Sequence, residues 1–286
     1  MMVHILDTFD EFRECFYDHL DGSLEELVYR WERYIDSYPE LKNKCQSDYT
    51  ENHYDWKEVA KTRVFNRTKI DFEKMELAHQ NIKKILDEMI VLVKDEFNFE
   101  LDLTIVLYCG LGNGAGWVDT YQGKRAILFG IEKLAELNIL EASSLRTLVA
   151  HELCHVVHFE LRGNDTLEED LTSYSQGIWQ LYTEGFAQYY QSKLLKCMED
   201  YRGDEWFKQC NVIHDELRCL FLEGLQDREI GIQRFFGDWF EVKGIKDTGY
   251  FLGFQLIEQL AREYKVHEIA CLSFNEIEKW VSEQRF

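Results

Sequence analysis

The sequence predicts a mostly helical α+β protein, with a small sheet preceding a helix that carries His151-Glu152-x-x-His155 and a helical C-terminal lobe after it. Three observations lead there. Apolar residues recur at three- and four-residue spacing over most of the chain, which contains a single proline, Pro39. One stretch differs, between residues 103 and 129, where β-branched and aromatic residues gather around a cluster of glycines. A chain of 286 residues that is 45% hydrophobic and 14% aromatic can also bury a sizeable core.

Taken in order, the periodic pattern predicts helices over residues 9–20, 23–36, 55–62 and 70–96. In the last of these, Phe72, Met75, Ala78, Ile82, Ile85, Leu86, Met89 and Leu92 share one amphipathic face, which reads as a core helix without chemistry. Leu103–Tyr108 reads as a strand, and Trp117–Tyr121 and Arg125–Phe129 as a strand pair joined hairpin-fashion at Gln122-Gly123-Lys124. A small mixed or antiparallel sheet is therefore expected before residue 140, and helix from Ala142 nearly to Phe286. No internal repeat or linker divides the chain. Three regions are expected to form one compact unit: an N-terminal helical region (1–97), the sheet with the His-Glu-x-x-His helix (98–162) and the C-terminal lobe (163–286).

The formal charge of -21, from 53 acidic against 32 basic residues, opposes binding to phosphate backbones and anionic membranes. An acidic surface also serves solubility alone, so it names no substrate. The N-terminus shows no signal peptide, and the best apolar stretch, Met89–Val93, stops at Lys94-Asp95, far short of a membrane span. Eight cysteines are scattered without CxxC pairs, as expected of thiols in a reducing compartment. A cytoplasmic protein without structural disulfides is the expectation.

On a helix, His151 and His155 project from one face about one turn apart, close enough to bind a single ion. Glu152, beside them, is poorly placed as a ligand to that ion, yet its carboxylate reaches a water there and can take its proton. The flanking Leu148, Val149, Ala150, Leu153, Cys154, Val156 and Val157 are apolar, unlike a surface helix. A buried helix has to satisfy two histidines and a glutamate, and a cation does so most simply. The competing reading is a pair of core histidines hydrogen-bonded to neighbours. A catalytic zinc takes three protein ligands and leaves a fourth position open. The best third candidate is Glu184, in the apolar and aromatic helix Trp179–Tyr190, where an unpaired carboxylate would be costly. Glu160, Asp165 and Asp170 compete with it.

With His151-Glu152-x-x-His155 followed downstream by Thr183-Glu184-Gly185-Phe186-Ala187, residues 100–260 resemble the gluzincin zinc metallopeptidases. The closest resemblance is to poorly characterised predicted zinc peptidases of bacteria. It implies a zincin-like fold, one Zn2+ held by His151, His155 and Glu184, and Glu152 as general base. The gap between His155 and Glu184 exceeds that of the shorter gluzincins, and the polar stretch Arg162–Asp170 reads as the insertion. The metzincin pattern fails, because it needs glycine at 158 and histidine at 161 where this chain has His158 and Leu161. His158 is expected to serve the core or to support a ligand, and Gln188, a turn after Glu184, to orient one.

Tyr250, in Tyr250-x-x-Gly253, resembles the segment where several gluzincins place a catalytic tyrosine; the other reading is a core aromatic, and His214 is the rival donor to an oxyanion. Gly110, Gly112 and Ala115 fit a GxGxxA nucleotide fingerprint, but the strand-like Trp117–Tyr121 follows instead of a helix, so a flexible turn is expected. By analogy with the gluzincins, the strand over Ala126–Phe129 would be the sheet edge that pairs with an extended peptide. The expected function is hydrolysis of peptide bonds in a peptide or protein substrate. Two alternatives stand beside it: a non-enzymatic binding protein on the same fold, and a zinc amidase acting on another amide.

Overall fold

Val3–Asp7 forms the first strand (β1), and Thr8 continues it by donating its backbone N–H to Leu107 O at 2.9 Å. The computed structural model describes residues 3–98, 100–163, 172–198, 200–227, 231–237, 240–283 and 285–286. Helix α1 (Phe9–Phe16) buries Phe9, Phe12 and Phe16, and α2 (Leu24–Ile35) is capped by Ser23, whose hydroxyl accepts from Glu26 N at 3.2 Å. Pro39 then opens a helix instead of interrupting one: α3 (Pro39–Glu51) has proline in its first turn, where no N–H is required. The sequence pattern did not predict α3, because it buries only Leu41 and Cys45 and so has little periodicity. Helix α4 (Trp56–Val59) runs through a π-helical segment, Ala60–Phe65, into the long α5 (Asn66–Phe97). The expected face of α5 is buried from Phe72 to Met89, with Val93 in place of the half-buried Leu92.

Strands β2 (Leu103–Tyr108), β3 (Trp117–Tyr121) and β4 (Lys124–Gly130) complete a four-stranded mixed sheet of order β1-β2-β4-β3. β1 and β4 run parallel to β2, and β3 runs antiparallel to β4. Every residue of β2 is buried, as befits an interior strand. Gln122 (φ 49°) and Gly123 (φ 72°) make the left-handed two-residue turn that matches the twist of a hairpin. The sheet corrects one expectation: the strand over Ala126–Phe129 is interior, paired on both sides, and the edges are β1 and β3.

Helices follow: α6 (Ile131–Glu136), α7 (Ala142–Arg162), α8 (Ser173–Leu195), α9 (Asp204–Val212), α10 (His214–Gln226), α11 (Thr248–Leu260), α12 (Val266–Ala270) and α13 (Phe274–Ser282). The mostly helical α+β class is thus observed. The chain divides into two compact units, Met1–Glu152 and Leu153–Phe286, and the division falls within α7. All eight cysteines are free thiols. Among the described residues no helix is long and apolar enough to cross a membrane.

In the second unit the backbones of α8 and α11 come together at Gly185 and Gly253. A Cβ on Gly185 would lie 2.3 Å from Gly253 O, and one on Gly253 would lie 2.5 Å from Leu181 O. Each glycine therefore exists for the crossing, since any side chain would wedge the helices apart.

Candidate metal centre

Helix α7 carries His151 and His155 one turn apart, and its apolar flanks, Leu148, Val149, Ala150, Leu153, Cys154, Val156 and Val157, are all buried, as their sequence predicts. Glu184 comes from the middle of α8. One ligand-type atom from each of His151, His155 and Glu184 lies within 4.8 Å of the others, so the three can hold a metal ion. Their spacing fits one. His155 Nε2 stands 3.2 Å from Glu184 Oε2, and two ligands each roughly 2.0–2.1 Å from a tetrahedrally coordinated zinc would stand about 3.3 Å apart. Two imidazoles and a carboxylate are also a donor set that zinc accepts.

The His151 side chain is buried, but 12% of His155 and 20% of Glu184 remain exposed. A structural zinc site is normally closed by four protein ligands, whereas a catalytic one keeps a position accessible. Of the other expected candidates, Glu160 is exposed on α7 outside the group, while Asp165 and Asp170, with most of the stretch Arg162–Asp170, lie outside the described residues.

Glu152, next to His151, is buried, and Gly116 makes room for it. A Cβ at position 116 would come within 3.1 Å of Glu152 Cγ and 3.0 Å of Phe129 Cε1. The same Gly116 lines an open cleft of about 590 Å3 in the first unit, with Asn43, Lys44, Asp48, Trp117 and Asp119 among its other walls. The glycine string is a turn, as expected, but a pinned one. Gly112 N donates to the buried Glu132 Oε1 at 2.9 Å, and Asn113 Nδ2 donates to Asp48 Oδ2 at 2.9 Å. Burial raises the pKa of Glu132, and the amides of Gly112 and Gly110 pull it back. An amide that a phosphate would use is thereby taken by a carboxylate of the protein itself.

His158 belongs to the core. Its ring stacks on Phe186 at 4.3 Å and meets Tyr182 edge-on at 5.0 Å, binding α7 to α8 near the candidate ligands His155 and Glu184. Burial, then the charges of His155 and Arg162, push its pKa down to about 3, so it is a neutral aromatic spacer. Tyr182, in turn, donates its hydroxyl to Ile269 O. Gln188 does not orient a ligand: its amide nitrogen donates to Asp200 Oδ2 at 2.7 Å. His214 opens α10 with its ring edge-on to Phe251 at 5.5 Å, and Asp215 pairs with Arg218.

Tyr250 sits half-buried in the first turn of α11, its ring meeting that of Phe236 edge-on at 5.5 Å. Burial raises its pKa well above the usual phenol value, and the next largest cause is the charge of Glu184, which places the two groups within electrostatic reach. Sequence reasoning missed the guanidinium that lies over this ring, that of Arg202, 4.1 Å from its centroid. The one signal was a charged pair, Asp200 and Arg202, set among Tyr201, Trp206 and Phe207.

Comparison of the chain with protein-family models, with curated proteins and with solved structures gives no significant match to any of them.

Proposed function

We propose that the protein is a zinc-dependent peptidase of the gluzincin type with a zincin-like arrangement, in which His151, His155 and Glu184 hold the ion and Glu152 is the general base. The observation that carries this reading is the convergence of the three ligand atoms within 4.8 Å, directly beside Glu152. An ion held there supplies a Lewis acid that acidifies water and polarises a carbonyl. Glu152 takes one proton from the water that attacks the carbonyl carbon and delivers it to the nitrogen of the leaving amine as the C–N bond breaks. The phenol of Tyr250 donates a hydrogen bond to the carbonyl oxygen as negative charge gathers on it. The partial exposure of His155 and Glu184 supports the enzymatic reading over a closed structural site. β3, an edge strand of the sheet, offers an extended peptide backbone groups to pair with.

Metal analysis and a digest of a peptide library test the proposal together. The purified protein is expected to carry one zinc per chain, Glu184→Ala to lose it, and Glu152→Gln to keep it while losing turnover by at least a hundredfold, as removal of a general base requires. Full peptidase activity in Glu152→Gln would end the mechanism, and undiminished zinc in Glu184→Ala would end the ligand assignment.

A further inference from the structure

Arg202 is 5% exposed and is held from three separate segments of the second unit. Its Nη1 donates to Asp200 Oδ1 at 2.9 Å and to Gln188 Oε1 at 3.3 Å, and its Nε donates to Asp247 Oδ2 at 3.0 Å. Gln188 lies on α8 one turn beyond Glu184, and Asp247 immediately precedes α11, where its Oδ1 also accepts from Gly237 N at 2.9 Å. The flat guanidinium lies among three rings: Tyr250 at 4.1 Å, Tyr201 at 4.3 Å and Trp206 at 4.8 Å. A buried ion network of this kind is a poor source of stability, because desolvating three charges offsets most of their attraction. What it does supply is orientation, since a guanidinium held at both Nε and Nη1 has one position, and a ring packed against it is restrained by it.

Resting on the peptidase reading, we infer that Arg202 is a positioning residue that fixes the ring of Tyr250 relative to Glu184, so that the phenol points at the substrate carbonyl oxygen. Arg202 touches neither the ligands nor the substrate. It acts through Tyr250, and its anchors on α8 and ahead of α11 lock together the two helices that already meet at Gly185 and Gly253. Lysine in its place would keep the charge but lose the flat group and its second point of attachment.

The test places 3-fluorotyrosine at position 250 and follows its fluorine resonance in the full chain, alongside peptide hydrolysis. With Arg202 present a single narrow line is expected, and Arg202→Lys should broaden or split it. In hydrolysis Arg202→Lys should lower kcat about tenfold with KM within about twofold. In a Tyr250→Phe background the same change should cost nothing further, because the group it acts through is gone. An unchanged fluorine line in Arg202→Lys, or an equal loss of kcat in the Tyr250→Phe background, overturns the inference. Should Arg202→Lys fail to fold, Asp200→Asn, which loosens the grip on Nη1 while keeping its shape, carries the same two comparisons. If the unaltered protein hydrolyses no peptide, the peptidase reading falls, and the fluorine spectra still decide whether Arg202 holds the ring.

Discussion

Gly185→Ala is the most direct way to ask whether the α8–α11 crossing sets the metal centre. The added Cβ would lie 2.3 Å from Gly253 O, 2.4 Å from its carbonyl carbon and 2.7 Å from its Cα, whereas ordinary contacts begin at 3.4 Å. Relief therefore needs the helices to part by about 1 Å, because all three obstacles are backbone and none can rotate away. Overpacking of this sort costs roughly 1–3 kcal/mol, and alanine returns roughly 0.8–1 kcal/mol of helix propensity over glycine. With the cost at the upper end of that range, since backbone cannot yield, a net loss of about 2 kcal/mol is expected in urea unfolding of the metal-free protein. Gly177→Ala, on the same helix, is the control: its Cβ meets Leu225 Cδ2 at 2.5 Å, the far end of a side chain that can turn, so the cost should be smaller. Glu184 is the neighbour of Gly185, and a shift of this size against the 3.2 Å separation of His155 and Glu184 should weaken zinc binding about tenfold in a chelator competition. A Gly185→Ala protein as stable as the parent, with the same zinc affinity, would refute the idea that this crossing positions Glu184.

Two further outcomes follow from the first unit. Burial would raise the pKa of Asp7, but hydrogen bonds from His79 and Lys83 prevail and hold it down at about 2, below the usual 3.8. Because the folded value is the lower one, the stabilisation is complete above pH 4 and is lost as pH falls through 2; the advantage over Asp7→Asn, about 1–2 kcal/mol at pH 6, should disappear near pH 2 in denaturant titrations. Tyr34→Phe removes the hydroxyl that meets Thr8 Oγ1 at 2.5 Å and accepts from the buried Cys109 N at 3.1 Å. Leaving that amide unsatisfied should cost about 1–3 kcal/mol in urea unfolding, and an unchanged midpoint would contradict the assignment.

Elements that bury one regular face could be read from the sequence. The spacing from Phe72 to Met89 gave α5, and the β-branched run Leu103–Tyr108 gave β2 to the residue. Those that depend on distant partners could not. β1 exists because β2, far along the chain, offers a parallel edge, and α3 because its proline starts a helix that buries few side chains. The identity of the edge strands was equally hidden: β4 looks like an edge until β2 and β3 are both seen to pair with it.

The same division runs through the candidate centre. His151, Glu152 and His155 were legible because helix geometry alone converts a spacing of four into one face. Glu184 was reached through its apolar surroundings and a resemblance, and a fold was needed to bring it within 3.2 Å of His155. Yet the sequence carried a mark of that approach. Glu184 precedes Gly185, and Tyr250 lies one turn before Gly253, the two glycines that let α8 and α11 touch. A carboxylate and a phenol borne on helices in backbone contact are near each other by construction, because the crossing fixes the distance between their Cα positions. Crossing alone leaves each side chain free to rotate about its own bonds. For the ring of Tyr250 that freedom is removed by Arg202, which left no pattern in the sequence because Gln188, Asp200 and Asp247 converge on it only after folding.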